Sequence, residues 1–127
     1  MKIRNKMLVG IAVAIACVSL LTVTAFANSS STLATGYGTL TGTLYGAEYT
    51  TGVTTNSDNA YLTITAAIQD INGVTLDSRY SQSQRSWINY SGRWTSLPSQ
   101  TYVLYGTHGV QGGSTYGAYA VYTYTHN

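Results

Sequence analysis

The stretch AYLTITAAIQDINGVTLDSRY, residues 60–80, combines a two-residue periodicity with a strong turn signal. Apolar side chains alternate with mostly polar ones along its first half, which is typical of a β-strand with one buried face. Asn72 and Gly73 then interrupt the run, and Asn-Gly is a frequent turn sequence between antiparallel strands. The stretch therefore predicts a β-hairpin. Its predicted core face consists of Leu62, Ile64, Ala66, Ile68, Leu76 and Tyr80.

The length of the turn decides the register of this hairpin. A two-residue turn would place Asp77 opposite Ile68, among core residues. A three-residue loop that ends at Gly73, in the left-handed region, would instead pair Ile68 with Leu76. We therefore expect the three-residue loop. In that register the outward side chains are Tyr61, Thr63, Thr65, Ala67, Gln69, Thr75, Asp77 and Arg79.

The first 27 residues have the composition of an export signal. Three basic residues precede an apolar run at 7–23, and the sequence AFA at 25–27 matches a small-x-small cleavage site. We expect residues 1–27 to be a signal peptide that is removed after Ala27 by Sec-type export, so that the protein is secreted. It would then contact a membrane only before cleavage. An uncleaved anchor and a lipoprotein modified at Cys17 are the alternatives.

Charge and cysteine content limit the partners and the fold of the remaining chain. Residues 28–127 carry three arginines and four carboxylates, a net charge of −1, whereas the whole chain has +2. No basic patch is left for phosphates, so we expect no nucleic-acid partner. The absence of cysteine from this part excludes disulfides, and stability must come from the core. A surface of Thr, Ser, Asn, Gln and Tyr favours self-association or binding to a cell-surface glycan or protein.

The pattern of residues 28–127 predicts an all-β fold. This part holds all 12 tyrosines, and it lacks an apolar stripe with the period of a helix. Short strand patterns and turn signals predict a small antiparallel β-sandwich, Ig-like or Greek-key, of about six to eight strands. A barrel variant is the alternative. We expect a flexible leader at residues 28–34 and one β-sandwich domain at residues 35–127.

Another strand pattern covers residues 35–45, where leucine and glycine alternate with threonine. A strand places alternate side chains on opposite faces. Leu40, Gly42 and Leu44 therefore fall on one face, and Thr39, Thr41, Thr43 and Tyr45 fall on the other.

A last hairpin is predicted from residues 101–107 and 115–125, with a two-residue turn at Gly112 and Gly113. Both faces of this hairpin carry large side chains, so the pattern leaves the buried face open. The turn would place the two histidines, His108 and His126, roughly 30 Å apart. We expect both to lie at the surface or at strand ends, and we predict no metal site and no cofactor.

The carboxylates are predicted to be structural or solvated. Asp58 and Asp70 lie in turn signals, where aspartate caps its own backbone. A calcium loop formed by Asn56, Asp58 and Asn59 is the alternative. Glu48 has no evident carboxylate partner, and residues 28–127 contain no lysine, cysteine or Gly-x-Ser-x-Gly motif. We therefore predict that the protein is not an enzyme.

One cluster is a candidate for ligand binding. The residues Tyr90, Ser91 and Gly92 repeat the turn pattern of the first hairpin and predict a second one over 85–97. In that register Trp94 joins the core. An exposed indole with guanidinium groups beside it can stack on a sugar ring or a partner aromatic. The predicted binding residues are Trp87, Arg85 and Arg93; the competing interpretation buries both tryptophans under the arginine stems.

No motif in the sequence specifies a single activity. We expect a secreted, bacterial-type, non-enzymatic binding or structural module that binds glycan or cell wall through exposed aromatic residues. A secreted antibacterial protein of the bacteriocin kind is one alternative. A self-assembling surface or matrix protein is the other.

Overall fold

The computed structural model describes residues 28–127, and the predicted signal peptide lies outside the described residues. The described part contains eight strands and no helix, and thus no apolar helix that could cross a membrane. The strands are β1 (Ser29–Ala34), β2 (Gly38–Tyr45), β3 (Glu48–Val53), β4 (Tyr61–Gln69), β5 (Thr75–Gln82), β6 (Asn89–Arg93), β7 (Val103–Gln111) and β8 (Tyr119–His126).

These strands form two antiparallel sheets that pack face to face. The first sheet has the order β1-β2-β3-β6 and the second has the order β5-β4-β7-β8. In the packed pair, β2 lies against β7 and β8, β3 against β4 and β7, and β6 against β4. The predicted small antiparallel β-sandwich is confirmed.

Alternation along β2 fixes its two faces as the sequence predicts. Leu40, Gly42 and Leu44 are buried between the sheets, and the threonines between them are partly exposed on the outer side. Burial of a leucine side chain stabilises the fold by about 1.5–3 kcal/mol, and an outward leucine would lose most of this. The register is therefore strongly determined for this strand.

The predicted flexible leader is an ordered edge strand. Residues 29–34 form β1, which pairs with β2 from Ser29 opposite Thr43 to Ala34 opposite Gly38. Serine and threonine composition suggests disorder, but here the backbone groups are paired along a neighbouring strand. The structure therefore corrects the predicted leader, because residues 29–34 form a paired strand.

The tip of the first hairpin is the predicted three-residue loop. The N–H of Asp70 donates to the carbonyl oxygen of Val74 at 3.0 Å. Gly73 closes the loop with a φ of 81°, in the left-handed region that favours glycine. The loop length is therefore correct, but it does not fix the register of the whole hairpin.

A β-bulge follows the tip and overturns the predicted register. Gln69 pairs with Thr75, but Ile68 pairs with Asp77 and not with Leu76. The extra residue on β5 reverses which of its side chains face the core. Arg79 therefore lies on the inner side, opposite Ala66, with Asp77 on the same side of β5. Tyr80, predicted to be buried, is on the outer face and 57% exposed.

The predicted hairpin over 85–97 does not form. Residues 90–92 lie in the middle of β6, which pairs with β3 from Glu48 opposite Arg93 to Gly52 opposite Asn89. Gly92 has no left-handed φ, and its open side lies near Ile64. The x-polar-Gly pattern is compatible with a strand as well as with a turn, and a partner distant in sequence decides between them.

The last hairpin has a longer loop than predicted. Val103 pairs with His126 and Val110 with Tyr119, so the loop includes both glycines and the residues that follow them. The buried face, which the sequence left open, carries Leu104, His108, Val110, Val121 and Thr123.

Candidate functional site

The three residues predicted to bind ligand do not form one cluster. The Trp87 ring is 44% exposed and lies 6.1 Å from the Tyr90 ring, measured between centroids. Arg93 ends β6 and lines a cleft that Trp87 does not line. Trp94 is buried, as predicted. The exposure of Trp87 agrees with the sequence, but the hairpin that grouped it with both arginines is absent.

Arg85 has a structural role between loops. Its Nη1 donates to the carbonyl oxygens of Asn59 at 2.9 Å and of Gly112 at 2.6 Å. Its guanidinium carbon lies 5.2 Å from the centre of the Tyr61 ring. These contacts join the loop before β4 to the loop after β7.

Arg93 lines a cleft that the sequence did not predict. The cleft has a volume of about 360 Å³ and opens at the side of the sandwich, between the edge strands β5 and β6. Its floor is apolar, and two arginines stand at its rim. The bulge in β5 creates this arrangement because it turns Arg79 inward. The main lining residues are Tyr49, Ile64, Ala66, Trp94, Arg79 and Arg93.

Arg79 is held over the indole of Trp94. The guanidinium carbon lies 3.7 Å from the ring centroid, a cation–π contact that contributes about 0.5–2 kcal/mol according to its exposure. Nη1 of Arg79 also donates a hydrogen bond to the carbonyl oxygen of Arg93 at 3.4 Å. A stacked guanidinium directs its N–H groups along its own plane. Arg79 therefore covers the Trp94 ring and holds its N–H donors at the cleft.

The hydroxyl of Tyr49 lies beneath this arginine. It is shielded from solvent, and its hydrogen has no acceptor among residues 28–127, although the indole of Trp94 lies close enough to its oxygen to act on its pKa. Burial raises the pKa of Tyr49, while nearby Trp94 and Arg79 act in the opposite direction. The phenol is therefore protonated at neutral pH and can donate. An unpaired buried hydroxyl costs about 1–3 kcal/mol, which a suitable acceptor would offset.

A second candidate surface is the outer side of the second sheet. The register aligns Tyr80, Thr65, Thr107 and Tyr122 in one row across its four strands. The adjacent row contains Tyr105 and Tyr124, whose ring centroids are 6.2 Å apart. We call this surface the tyrosine face; it consists of Tyr80, Tyr105, Tyr122, Tyr124 and His126, with Thr65 and Thr107 between the rings.

The sequence contained a signal for the tyrosine face. Tyr122, Tyr124 and His126 occur at every second position and must therefore share one side of a strand. The predicted two-residue turn would place Tyr105 on this same side but opposite Ala120, four residues from its actual partner, so its contact with Tyr124 was not predicted. The actual register places Tyr105 opposite Tyr124.

His108 is buried in the core, and the prediction of a surface or strand-end position is wrong for this residue. Its ring packs against Gly42 and Gly106, where a Cβ atom would overlap it. Thr51 Oγ1 donates to the carbonyl oxygen of Thr63 at 2.9 Å and so accepts from Nδ1–H of His108 at 3.2 Å.

The other ring nitrogen completes this network. Nε2 of His108 accepts from the hydroxyl of Thr123 at 2.7 Å, which assigns the neutral tautomer with hydrogen on Nδ1. Burial lowers the pKa of His108 to about 4. Both nitrogens are occupied, so the ring is a structural element. His126 is exposed at the end of β8, as predicted, and residues 28–127 contain no group of three or more metal-ligating side chains.

Asp58 also has a different role from the predicted one. Its carboxylate does not cap its own turn; it accepts N–H donors from Thr115 at 3.0 Å and Tyr116 at 3.0 Å, and the hydroxyl of Tyr37 at 2.9 Å. The N–H of Tyr116 contributes most to lowering the pKa of Asp58, against the opposing effect of burial. A Cβ at Gly113 would overlap this carboxylate.

The predicted alternative, a calcium loop, is incompatible with these hydrogen bonds to Asp58. N–H and O–H groups point at the Asp58 oxygens, whereas a cation requires them free. The Asn56 amide donates to the carbonyl oxygens of Ala60 at 2.9 Å and Trp87 at 2.8 Å. Asp70 does cap its own turn, as predicted, by accepting the N–H groups of Asn72 and Val74, each at 2.9 Å.

The chemistry of the two candidate surfaces is stacking and hydrogen bonding. The tyrosine face offers ring surfaces with hydroxyl groups between them, and the cleft adds guanidinium donors above an apolar floor. Comparisons with protein-family models, curated proteins and solved structures found no match.

Proposed function

We propose that the protein is a non-enzymatic extracellular binding module that attaches to a polysaccharide of a cell surface through the tyrosine face. The observation that supports this most is the alignment of tyrosine rings in register on the outer side of the second sheet. Sugar rings carry apolar C–H faces that stack on aromatic rings, and hydroxyl groups beside the rings satisfy the sugar hydroxyls.

The dimensions of the face suit a chain of sugars better than a single one. Neighbouring strands are about 4.8 Å apart, so Tyr80 and Tyr122 at the two edges of the sheet are separated by about 14 Å. Thr65 and Thr107 lie between them. A ligand that contacts both edges must extend across four strands. Tyr80 and Tyr105, exposed by 57% and 39%, present ring surface to solvent.

The low charge of the chain favours a neutral polysaccharide for this face. Residues 28–127 have a net charge of −1, and the tyrosine face carries no arginine or carboxylate. Stacking does not depend on charge, whereas ionic attachment weakens as salt screens it. Binding through this face should therefore persist at high salt.

Co-sedimentation with insoluble polysaccharides tests the proposal. We would incubate the secreted protein with cellulose, chitin and purified peptidoglycan, and measure the bound fraction at low and high salt. The double variant Tyr105→Ala/Tyr124→Ala should bind at least tenfold more weakly to the preferred polymer, since stacking on each ring is lost. Circular dichroism and thermal unfolding would verify that it remains folded.

Two further variants make the result specific. Tyr45 is 81% exposed on the outer side of the first sheet, so Tyr45→Ala removes an exposed ring without touching the tyrosine face and should bind normally. Trp87→Ala tests the binding residue that the sequence predicts. Binding that survives the double variant but not Trp87→Ala would contradict the tyrosine face, as would no binding by the unmodified protein.

A further inference from the structure

The cleft between β5 and β6 combines three features that a structural role does not require. Two of the three arginines of residues 28–127, Arg79 and Arg93, stand at its rim. The Tyr49 hydroxyl below them is buried without a hydrogen-bond partner in the described chain. The space of about 360 Å³ falls within the usual size of a small-ligand pocket.

From these features we infer that the cleft is a separate binding site for an acidic sugar, whose carboxylate is held by Arg79 and Arg93. The guanidinium of Arg79 stacks on Trp94 in the free protein, at 3.7 Å from the ring centroid, and so lies at the cleft before a ligand arrives. A planar guanidinium matches a carboxylate with two parallel hydrogen bonds. The second guanidinium, on Arg93, supplies further donors and charge.

The floor of the cleft explains why the carboxylate would belong to a sugar. Ile64, Ala66 and Trp94 line the cleft and are each 3% exposed in the free protein, where Arg79 covers the Trp94 ring, so they become available to the C–H face of a ring when that side chain moves aside. The Tyr49 hydroxyl can donate to a ring or hydroxyl oxygen once the Arg79 side chain shifts to admit the ligand. This long exposed side chain changes rotamer easily. A free inorganic anion would use the arginines but not the floor.

The inference is independent of the tyrosine face. The face and the cleft meet only at Tyr80, which borders both. Substitutions in the cleft should therefore abolish only the binding of the acidic sugar, and the double variant of the tyrosine face should abolish only the binding of the polysaccharide. One site can be lost while the other remains.

Fluorescence of Trp94 provides the test. In the variant Trp87→Phe, Trp94 is the only tryptophan, and it contacts Arg79 directly. We would titrate this protein with glucuronate, glucose, acetate and inorganic phosphate. Glucuronate should change the emission with saturation, and glucose and acetate should bind at least tenfold more weakly. Equal binding of phosphate and glucuronate would contradict a sugar-acid site, and no saturable response to glucuronate would contradict the site altogether.

Matched variants identify the residues. Arg93→Ala should weaken glucuronate binding at least tenfold, whereas Arg85→Ala removes the same charge away from the cleft and should have less than a twofold effect. Tyr49→Phe removes only the unpaired hydroxyl. It should weaken binding severalfold and change the unfolding temperature little, because the hydroxyl hydrogen donates to no group in the free protein. Weakening by Arg85→Ala equal to that by Arg93→Ala would overturn the assignment.

Discussion

Two buried polar side chains, His108 and Asp58, join parts of the chain that are far apart in sequence. His108 connects β3, β7 and β8 through Thr51 and Thr123. Asp58 orders the loop before β8 through the N–H groups of Thr115 and Tyr116. Neither role could be predicted from the sequence, because local patterns identify caps within a turn but not partners that lie 15 to 58 residues away.

The buried histidine makes stability depend on pH. The pKa of His108 is lowered to about 4, so the unfolded chain binds a proton more readily than the folded one. The contribution of neutral His108 is complete above about pH 6.5 and is lost as the pH falls toward 4. The free energy of unfolding should decrease by about 1.4 kcal/mol per pH unit within that window.

Urea unfolding at several pH values between 7 and 4 measures this slope. The variant His108→Gln has no titrating group at this position and should show a much smaller slope between pH 6.5 and 4. Asp58, whose carboxyl has a pKa below its usual value of 3.8, contributes to the slope only at the acid end of this range, and it contributes equally in both proteins. Equal slopes in both proteins would contradict the buried neutral ring.

At the level of single strands, local alternation correctly predicted the buried face of strands that are paired on both sides within a sheet. The faces of β2 and the inner face of β4 are as expected, since each strand is central and its leucines or isoleucines have one buried side. The errors lie at edges. β5 contains a bulge, β6 is a strand where the pattern predicts a hairpin, and β1 is a strand where the composition predicts a leader, because pairing with another strand decides each of these.

The ordered edge strand β1 can be tested by amide hydrogen exchange. Amides of residues 29–34 that are bonded to β2 should exchange at least tenfold more slowly than an unstructured chain. Amides near Gly46, in the turn between β2 and β3, provide a fast-exchanging comparison within the same protein. Random-coil rates throughout residues 29–34 would support the flexible leader and contradict the strand.

At the scale of the whole molecule, the two outer surfaces of the sandwich differ in chemistry. The first sheet presents mainly hydroxyl side chains, including Thr39, Thr41 and Thr43, and the second presents the tyrosine face. The low charge and abundant tyrosine in the sequence already suggested binding through exposed aromatics. Their grouping on one sheet could be predicted only in part, because the outward position of Tyr80 depends on a bulge and the contact of Tyr105 with Tyr124 depends on a loop that Asp58 shapes from outside the hairpin.

Mapping the binding surface by NMR tests the central claim most directly. Amide chemical shifts of the protein would be followed during titration with soluble oligosaccharides of the polymer that it sediments with. We predict that the changes concentrate at Thr65, Tyr105, Thr107, Tyr122 and Tyr124, on the outer side of the second sheet. Changes confined to the surroundings of Trp87, or to the outer side of the first sheet, would contradict the tyrosine face as the binding surface.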